Sequence, residues 1–377
     1  MKVVIAIDSY KGSLTSQQAG EACREGVLRA CPGARTAVFP VADGGEGTLE
    51  VFMGLGMTWR EETVTGPLGE KISAGYCAGA GRAFVEMARC AGLPLVPPDK
   101  RDPMNTTTRG VGELIIKAVE ADAREIYLGI GGSATSDCGL GMLCALGFDF
   151  YDADGEKCGD KGGDLARVRR IDRSGADARL RECRFIVACD VTNPLYGENG
   201  AAHVYGPQKG ASPETVEKLD EAARRFAALC PGDNALLPGA GAAGGLGFAL
   251  REFLGAQLVP GIEFVLSALN IEREISDADL VFTGEGRLDR QSVMGKVPSG
   301  VAALAKKYGV PVAALSGCLG DGAEDCLSAG IDAYFPILSA PCTMEQAMDA
   351  DAARENLSRT AQQAVRLFSA GRRHFGG

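Results

Sequence analysis

The sequence has no G-x-x-x-x-G-K-[ST] segment, which is the signature of P-loop nucleotide-binding proteins. A nucleotide site in this chain would therefore need a different scaffold. The 13 cysteines include no C-x-x-C pair and no paired Cys and His spacing, which argues against a structural zinc site. Thiols without such spacing are typical of reduced cysteines in a reducing compartment, so we expect a cytoplasmic protein.

Long basic runs and long apolar runs are also lacking. The 39 basic and 49 acidic residues give a formal net charge of −10, whereas a surface for nucleic acid or anionic lipid needs a basic field. No apolar run approaches the roughly 20 residues of a membrane-spanning helix. The first apolar run ends at Asp8 and Lys11 and does not read as a signal peptide. We therefore expect neither a nucleic-acid partner nor a membrane.

Histidine is scarce, because His203 and His374 are the only two. A mechanism with a histidine base would depend on His203 alone, so we expect carboxylates to supply any acid–base chemistry. Glycine, in contrast, is abundant with 52 residues, and the glycines cluster. Such clusters let the backbone approach a ligand without an intervening Cβ.

The order of predicted elements indicates an α/β fold with two domains. The chain begins with a strand, a helix and a second strand, and Thr15 with Gln18 forms a capping box at the first helix. The same alternation returns in the last part of the chain, while residues 61–81 alternate as in antiparallel hairpins. We predict a doubly wound, Rossmann-like parallel-sheet domain built from both chain ends, residues 1–62 and 268–377. Residues 63–267 are predicted to form an inserted mixed α/β domain, with the active site in the cleft between the two.

Ligands of open α/β sheets bind outside the carboxyl ends of the strands. Five predicted strands end in acidic residues, glycines or both, including a strand over 280–283 that leads into a loop at Gly284. The candidate residues are Asp8 and Lys11; Asp43, Gly44 and Gly45; Gly131, Gly132, Ser133 and Asp137; Asp190 and Asn193; and Glu285 and Asp289. A turn or a helix cap explains any one of these loops, but it explains five at one sheet edge less easily.

This combination suits phosphoryl transfer. Exposed amides and a lysine hold phosphate oxygens, and carboxylates hold Mg²⁺, which neutralises those oxygens. A further carboxylate orients or deprotonates an attacking hydroxyl. Glycines let the backbone approach the phosphates closely.

Two glycine motifs indicate a different function. Residues 129–134 match G-x-G-x-x-A after a predicted strand, and Asp149 follows where a dinucleotide-binding fold has its ribose ligand. Residues 239–244 match G-x-G-x-x-G, although Pro238 and no good strand precede them. The first motif supports a dehydrogenase, but a dehydrogenase does not need the other acidic loops.

The strand-end loops form a specific series when their order and spacing are taken together. The series, in chain order, is Asp8-Ser9-Tyr10-Lys11-Gly12-Ser13, Ala42-Asp43-Gly44-Gly45-Glu46-Gly47-Thr48, Gly131-Gly132-Ser133-Ala134-Thr135-Ser136-Asp137, Cys189-Asp190-Val191-Thr192-Asn193-Pro194-Leu195, Gly241-Ala242-Ala243-Gly244-Gly245-Leu246-Gly247, Thr283-Gly284-Glu285-Gly286-Arg287-Leu288-Asp289 and Gly295-Lys296-Val297-Pro298. This series resembles the type I glycerate kinase family over nearly the whole chain. One departure is Thr135-Ser136-Asp137-Cys138-Gly139, where such sequences often read Thr-Asn-Asp-Gly-Gly.

The resemblance implies a kinase that uses ATP and Mg²⁺ to phosphorylate D-glycerate in organic acid catabolism. It favours 2-phosphoglycerate over 3-phosphoglycerate as the product. It also implies two α/β domains with the site between them, and it leaves the oligomeric state open, with a homodimer as one option. The alternatives are an NAD-dependent dehydrogenase of a small hydroxy acid and a non-catalytic sensor of small acids.

Residue chemistry suggests roles for the candidates. Asp190 would orient or deprotonate the hydroxyl with Asn193 beside it, and Lys11 would contact the transferred phosphate or the substrate carboxylate. Glu285 and Asp289 are the first candidates for magnesium ligands, and Asp8 and Asp43 are the second candidates for either catalysis or magnesium binding. The residues assigned to phosphate or substrate binding are Asp43, Gly44, Gly45, Gly131, Gly132, Ser133, Asp137, Gly244, Gly245, Arg287 and Lys296.

Overall fold

The computed structural model describes residues 1–45, 47–293 and 295–375. The strands, in chain order, are β1 (Lys2–Ile7), β2 (Arg35–Pro40), β3 (Thr58–Thr65), β4 (Lys71–Gly79), β5 (Arg82–Glu86), β6 (Glu125–Gly129), β7 (Asp149–Tyr151), β8 (Arg170–Asp172), β9 (Arg184–Ala188), β10 (Gln257–Val259), β11 (Leu280–Leu288), β12 (Val312–Leu319) and β13 (Ala333–Pro336). The α-helices are α1 (Ser16–Ala30), α2 (Thr48–Gly54), α3 (Ala88–Ala91), α4 (Arg109–Glu120), α5 (Leu140–Ala145), α6 (Ala201–Tyr205), α7 (Pro213–Ala228), α8 (Ala242–Leu254), α9 (Gly261–Leu269), α10 (Glu272–Ile275), α11 (Val297–Lys306), α12 (Asp325–Ser328), α13 (Met344–Met348) and α14 (Ala350–Phe375). Short 3₁₀ helices lie at Leu93–Leu95, Pro98–Lys100, Gly162–Arg167, Ala178–Glu182, Pro207–Lys209 and Arg290–Val293.

The chain divides into two compact units. Unit 1 contains residues 1–55 and 261–377, and unit 2 contains residues 56–260. Sequence analysis put the boundaries at 62/63 and 267/268. The first boundary lies earlier in the structure because β3 pairs along its whole length with β4, and the second lies earlier because α9 belongs to unit 1.

Unit 1 is built on a five-stranded parallel sheet with the order β13-β12-β11-β1-β2. β1 reads as a continuous apolar run because residues 3–7 are all buried, as in strands covered on both faces. Helices α1 and α14 pack against one another and share a core with β1 and β11. The predicted capping box is present, since Thr15 Oγ1 accepts from Gln18 N at 3.2 Å and Gln18 Oε1 accepts from Thr15 N at 2.9 Å.

Unit 2 contains a six-stranded mixed sheet with the order β10-β9-β6-β5-β4-β3. β10, β9, β6 and β5 run parallel, while β3, β4 and β5 pair antiparallel, which confirms the hairpins predicted over 61–81. A separate two-stranded sheet joins β7 and β8. A single large apolar cluster packs the sheet against α4, α5, α7 and α8. The predicted α/β class is confirmed.

The prediction for the end of one strand was wrong. Sequence analysis ended that strand at Thr283, but β11 continues to Leu288 and pairs with β12 through Glu285 and Ser316. The glycines permit this extension, because a Cβ on Gly284 would lie 2.0 Å from Leu315 O. Glu285 is therefore a strand residue and not a loop residue.

Within the described part of the chain, no helix has both the length and the apolar character that crossing a membrane requires. All 13 cysteines are free thiols.

The contact between α1 and α14 leaves no room for a methyl group at Gly26. A Cβ there would lie 2.0 Å from Ser358 O and 3.0 Å from Ala361 Cβ. We expect Gly26→Ala to lower the free energy of unfolding by about 1–3 kcal/mol, because the helices must move apart. Urea denaturation measures this change. Gly33→Ala is the matched control, since no atom lies within 4 Å of its added Cβ. Equal stability of the two variants would contradict the close packing.

Candidate active site

A cavity of about 460 Å³ lies in unit 1, where the parallel strands have their carboxyl ends. Asp8 follows β1, Asp43 follows β2, and Glu285 lies on the last part of β11. The predicted residues that line the cavity are Asp8, Lys11, Asp43, Glu285, Arg287, Asp289 and Lys296. Gly44 and Gly45 continue the turn after Asp43, whose Oδ1 accepts from Gly45 N at 3.2 Å. Glu46 lies outside the described residues.

The register of the central strands brings Asp8 next to Glu285. Ile7 pairs with Gly284 across β1 and β11, and Asp8 N donates to Gly284 O at 2.9 Å. Burial raises the pKa of Asp8 to about 6, and the charge of Asp43 adds to the rise. A hydrogen bond of 2.6 Å from Ser9 N and the charge of Lys11 oppose it.

Glu285 carries a buried oxygen without a partner. The residue is 8% exposed, and its Oε1 accepts no hydrogen bond from any residue that the structure describes. Burial raises the pKa of Glu285 to about 6, with contributions from the charges of Asp8 and Asp289. A hydrogen bond from Ser292 and the charge of Lys296 lower it. A buried acceptor surrounded by other carboxylates favours a cation as the missing partner.

The donor set fits a hard divalent cation that keeps other ligands. Among residues 1–45, 47–293 and 295–375, no three His, Cys, Asp or Glu side chains lie close enough to hold a metal by themselves. Mg²⁺ in phosphoryl-transfer sites is usually bound by one or two carboxylates, with water and phosphate oxygens completing its shell. Asp8 and Glu285 supply two such carboxylates in one cavity.

Lys11 and Asp289 have well-defined surroundings at the cavity. Lys11 is exposed in a turn closed by two hydrogen bonds between Tyr10 and Leu14, and Tyr10 anchors that turn by donating to Leu315 O at 2.9 Å. Asp289 Oδ2 pairs with Arg287 at 3.2 Å, while its Oδ1 accepts from the backbone of the following 3₁₀ helix. Both Asp289 oxygens are therefore engaged, unlike Glu285 Oε1.

One part of the cavity wall is apolar. It is formed by Cys318 on β12, by Ile337 and Leu338 after β13, and by Met344 and Met348 on α13. The cavity thus combines a charged part at the strand ends with an apolar part beside it. A ligand with both a polyanionic portion and a flat apolar portion would match this composition.

The remaining candidates belong to unit 2 and gather at its own strand ends. β6 and β9 are parallel neighbours with Gly129 opposite Ala188. Gly131 and Asp190 each come two residues after these partners, so they follow adjacent strands at the same level of the sheet. Asp190 is exposed.

Residues 131–137, which we call the amide loop, turn their carbonyl groups inward. Gly132 O accepts from Leu93 N at 2.8 Å and Ala134 O accepts from Thr106 Oγ1 at 3.1 Å. The amides of residues 131–133 donate to no acceptor among the described residues. Gly131 and Gly132 are exposed, and Gly132 has a φ of +72°, so consecutive N–H groups can face an anion.

Asp137 does not face a ligand. It is fully buried, and its carboxylate accepts from Thr108 N at 2.8 Å, Thr108 Oγ1 at 2.7 Å, Gly139 N and Gly141 N. Burial raises its pKa, and these hydrogen bonds oppose the rise. The carboxylate therefore holds the amide loop to the starts of α4 and α5, and we assign it this positioning role.

Asn193, Gly244 and Gly245 also serve packing in this unit. Asn193 Oδ1 accepts from Tyr205 OH at 2.6 Å, and its Nδ2 donates to Asn199 O at 2.9 Å. Gly244 and Gly245 are buried with positive φ, and a Cβ on Gly244 would lie 2.0 Å from Thr135 O. These glycines lie behind the amide loop, and Gly244 O accepts from Cys138 N.

One further residue belongs to this cluster and was not predicted from the sequence. Lys209 is 2% exposed, and its Nζ donates to Ser133 Oγ at 2.8 Å and to Thr135 O at 2.6 Å. It lies 74 residues from Thr135 in sequence, so no local pattern predicts the contact. The sequence shows only that Lys209 lies in a short segment between Pro207 and Gly210, which indicates a turn and does not indicate burial.

The two dinucleotide motifs lack their structural context. That fingerprint requires a helix to begin within the glycine motif, but β6 ends at Gly129 and α5 begins only at Leu140. Asp149 opens β7, which belongs to the separate two-stranded sheet. The second motif follows a turn and not a strand. These positions do not support a dehydrogenase.

The fold and the site together identify the class of this protein. It is an α/β enzyme whose strand-end loops suit phosphate groups and a divalent cation. The chain belongs to the glycerate kinase family, whose members are phosphotransferases, because the model of the glycerate kinase family matches residues 3–369. It is 48% identical over 383 residues to glycerate 2-kinase of Escherichia coli (strain K12), with 100% of both chains covered. It is 47% identical over 353 residues to a glycerate kinase of Halalkalibacterium halodurans, covering 92% of this chain and 93% of that one.

A comparison with a solved structure also places the chain in this family. A crystal structure of a protein assigned as glycerate kinase 2 from Salmonella typhimurium LT2 superimposes with a TM-score of 0.86. The two sequences are 46% identical, and the match covers 99% of each chain. The family resemblance expected from the sequence is confirmed.

Burial of Glu285 predicts a pH-dependent stability in metal-free solution. Its pKa is raised from 4.5 to about 6, so the folded protein holds a proton that the unfolded chain releases between about pH 4.5 and pH 6. Stability therefore falls as pH rises through that window. We expect Glu285→Gln to raise the free energy of unfolding by about 1–2 kcal/mol at pH 7 and to change it little at pH 4. Chemical denaturation with a chelator present measures both values.

The exposed Glu263 on α9 provides the control, because Glu263→Gln should change stability little at either pH. A Glu285→Gln protein that is less stable than the wild type at pH 7 would contradict the buried, unpartnered carboxylate.

Asp137→Asn tests the anchoring of the amide loop. The NH₂ group of the new asparagine would face N–H groups that now donate hydrogen bonds to the carboxylate. We therefore expect the free energy of unfolding to fall by about 1–3 kcal/mol. Thermal and urea unfolding give the measurement. The exposed Asp99 supplies a matched control in the same unit, and Asp99→Asn should be close to neutral. An unchanged stability in Asp137→Asn would remove the positioning role.

Proposed function

We propose that this protein transfers the γ-phosphoryl group of ATP to a hydroxyl group of D-glycerate. The proposal is supported by membership of the glycerate kinase family and by one observation above all. That observation is the buried, unpartnered oxygen of Glu285 beside Asp8, in a cavity that also presents Lys11. Such a set is suited to a cation and to the phosphate groups that accompany it.

The unit 1 cavity is the proposed site for the nucleotide. Glu285 and Asp8 would hold Mg²⁺, which would supply positive charge to neutralise the phosphate groups. Lys11 attracts the phosphate groups from the exposed turn, and Arg287 is held by Asp289 at the same cavity. The apolar wall offers contact area to the purine ring.

The unit 2 loops are the proposed site for the acceptor. Free amides of the amide loop bind the carboxylate of D-glycerate, as N–H groups of a backbone nest bind anions. Asp190, which follows the neighbouring strand, orients or deprotonates the hydroxyl that attacks phosphorus. Asn193 keeps the Asp190 loop in place through Tyr205 and Asn199.

The 2-hydroxyl is the proposed acceptor. The relative from Escherichia coli that bears the name glycerate 2-kinase is similar over the full length of both chains. We place the reaction in organic acid catabolism, and the cytoplasmic location stays a prediction. A non-catalytic sensor of small acids is the remaining alternative, and it would bind the acid without releasing ADP.

The test is an assay of ADP release from purified protein with ATP, Mg²⁺ and D-glycerate. Enolase in the coupled assay identifies the product, because it consumes 2-phosphoglycerate and not 3-phosphoglycerate. We expect ADP release that depends on glycerate and on Mg²⁺. Ligand-dependent melting without ADP release would instead support the sensor.

Asp190→Asn should lower kcat by about 100-fold or more while the fold stays intact, because the carboxylate acts on the reacting hydroxyl. Circular dichroism checks the fold. Asp172→Asn, at an aspartate of β8 in the same unit, is the control and should leave kcat unchanged. Near-normal turnover by Asp190→Asn would exclude Asp190 from the mechanism.

A further inference from the structure

A lysine is buried directly behind the amide loop. Lys209 is 2% exposed, although lysine is almost never fully buried unless its charge is paired. Its Nζ has two acceptors, Ser133 Oγ and the carbonyl oxygen of Thr135, and no ion pair with any carboxylate among the described residues. A buried cation without an ion pair is costly, so a purely structural role explains it poorly.

Lys209 is the donor in its hydrogen bond to Ser133, and this leaves the Ser133 hydroxyl free to donate to a ligand. Since Ser133 Oγ accepts from Lys209, the hydroxyl proton of Ser133 remains available for another acceptor. Ser133 is also the last of the three residues whose amides donate to no described acceptor. The loop therefore combines consecutive N–H groups and one O–H group with a positive charge behind them.

The loop is held from several sides, which makes it a preformed site. Leu93 and Thr106 bind the carbonyl groups of Gly132 and Ala134, while Lys209 binds that of Thr135. Because these carbonyl groups point to donors inside the protein, they do not point at an anion on the exposed face. Among these three residues that bind the carbonyl groups, only Lys209 has an ionisable side chain.

We propose that Lys209 is a positioning residue for substrate recognition, which acts through Ser133 and Thr135 to make the amide loop a site for the carboxylate of a small hydroxy acid. This inference rests on the proposed function. It adds that the recognition of the acid depends on a buried cation that does not touch the acid itself.

The surroundings of Lys209 make this recognition depend on pH. Burial lowers the pKa of Lys209 to about 7, and the charge of Asp137 opposes that change. The two acceptors match the two N–H groups of a neutral amine, whereas the charged form has a third donor. An anion on the loop favours the charged form, so affinity for the acid must fall as pH rises above about 7.

The experiment measures D-glycerate binding by calorimetry, without nucleotide, between about pH 6 and pH 9. Lys209→Met removes the charge at similar length, and Ser133→Ala removes only the hydroxyl that relays it. We expect both variants to weaken glycerate binding by about 10-fold or more at pH 6, while KM for ATP changes less than about 2-fold.

The affinity of the wild type for glycerate should fall above about pH 7, and Lys209→Met should lose this pH dependence. Lys218→Met, at an exposed lysine paired with Glu214 on α7, is the control and should bind like the wild type.

The outcomes separate the two proposals. A wild type that releases no ADP with D-glycerate overturns the proposed function. A wild type that releases ADP, with both variants folded and binding glycerate normally at every pH, overturns the role of Lys209 alone. If Lys209→Met does not fold, Ser133→Ala and the pH dependence of the wild type decide the question. A lower melting temperature with unchanged glycerate affinity means a structural lysine and also overturns the inference.

Discussion

The parallel pairing of β1 with β11 is the constraint on which the unit 1 site depends. With Ile7 opposite Gly284, the next residues of the two strands are Asp8 and Glu285, and neither can move away without breaking the ladder. Burial raises the pKa of each carboxylate to about 6, and the rise is increased by the charge of Asp43 at Asp8 and by the charge of Asp8 at Glu285. The fold thus holds two like charges at close quarters, which is unfavourable for the protein alone and favourable once a cation is bound.

Unit 2 uses neighbouring strands in the same way for a different chemistry. β6 and β9 end at the same level, and the residues beyond them form the amide loop and the loop of Asp190. Here the groups without a partner in the described protein are backbone N–H groups, and the side chains hold the loop in place. The side chains of Asp137 and Lys209 are both buried and hold the backbone of the loop through hydrogen bonds. Acceptors for a cation therefore dominate one unit, and donors for an anion dominate the other.

Some of this was predictable from sequence because it depends on local patterns. The apolar run of β1, the capping box at Thr15 and the hairpin alternation are local, and each is present. Six of the seven candidates that line the unit 1 cavity lie shortly after a predicted apolar strand, whereas Lys296 lies at the start of α11. The end of β11 was missed because Gly284 and Gly286 indicate a turn locally, whereas pairing with β12 keeps them in the strand.

The sequence alone determined the α/β class, the family and the positions of the strand-end loops, because these depend on apolar periodicity and on motif order along the chain. Only the tertiary structure decided which polar residues line a cavity and which hold the backbone. Asp8 and Asp137 look alike in sequence, yet the first lines a cavity and the second accepts hydrogen bonds from Thr108, which is 29 residues away, and from the start of α5. Lys209 was invisible for the same reason, since its burial and its partners arise from contacts between segments far apart in the chain.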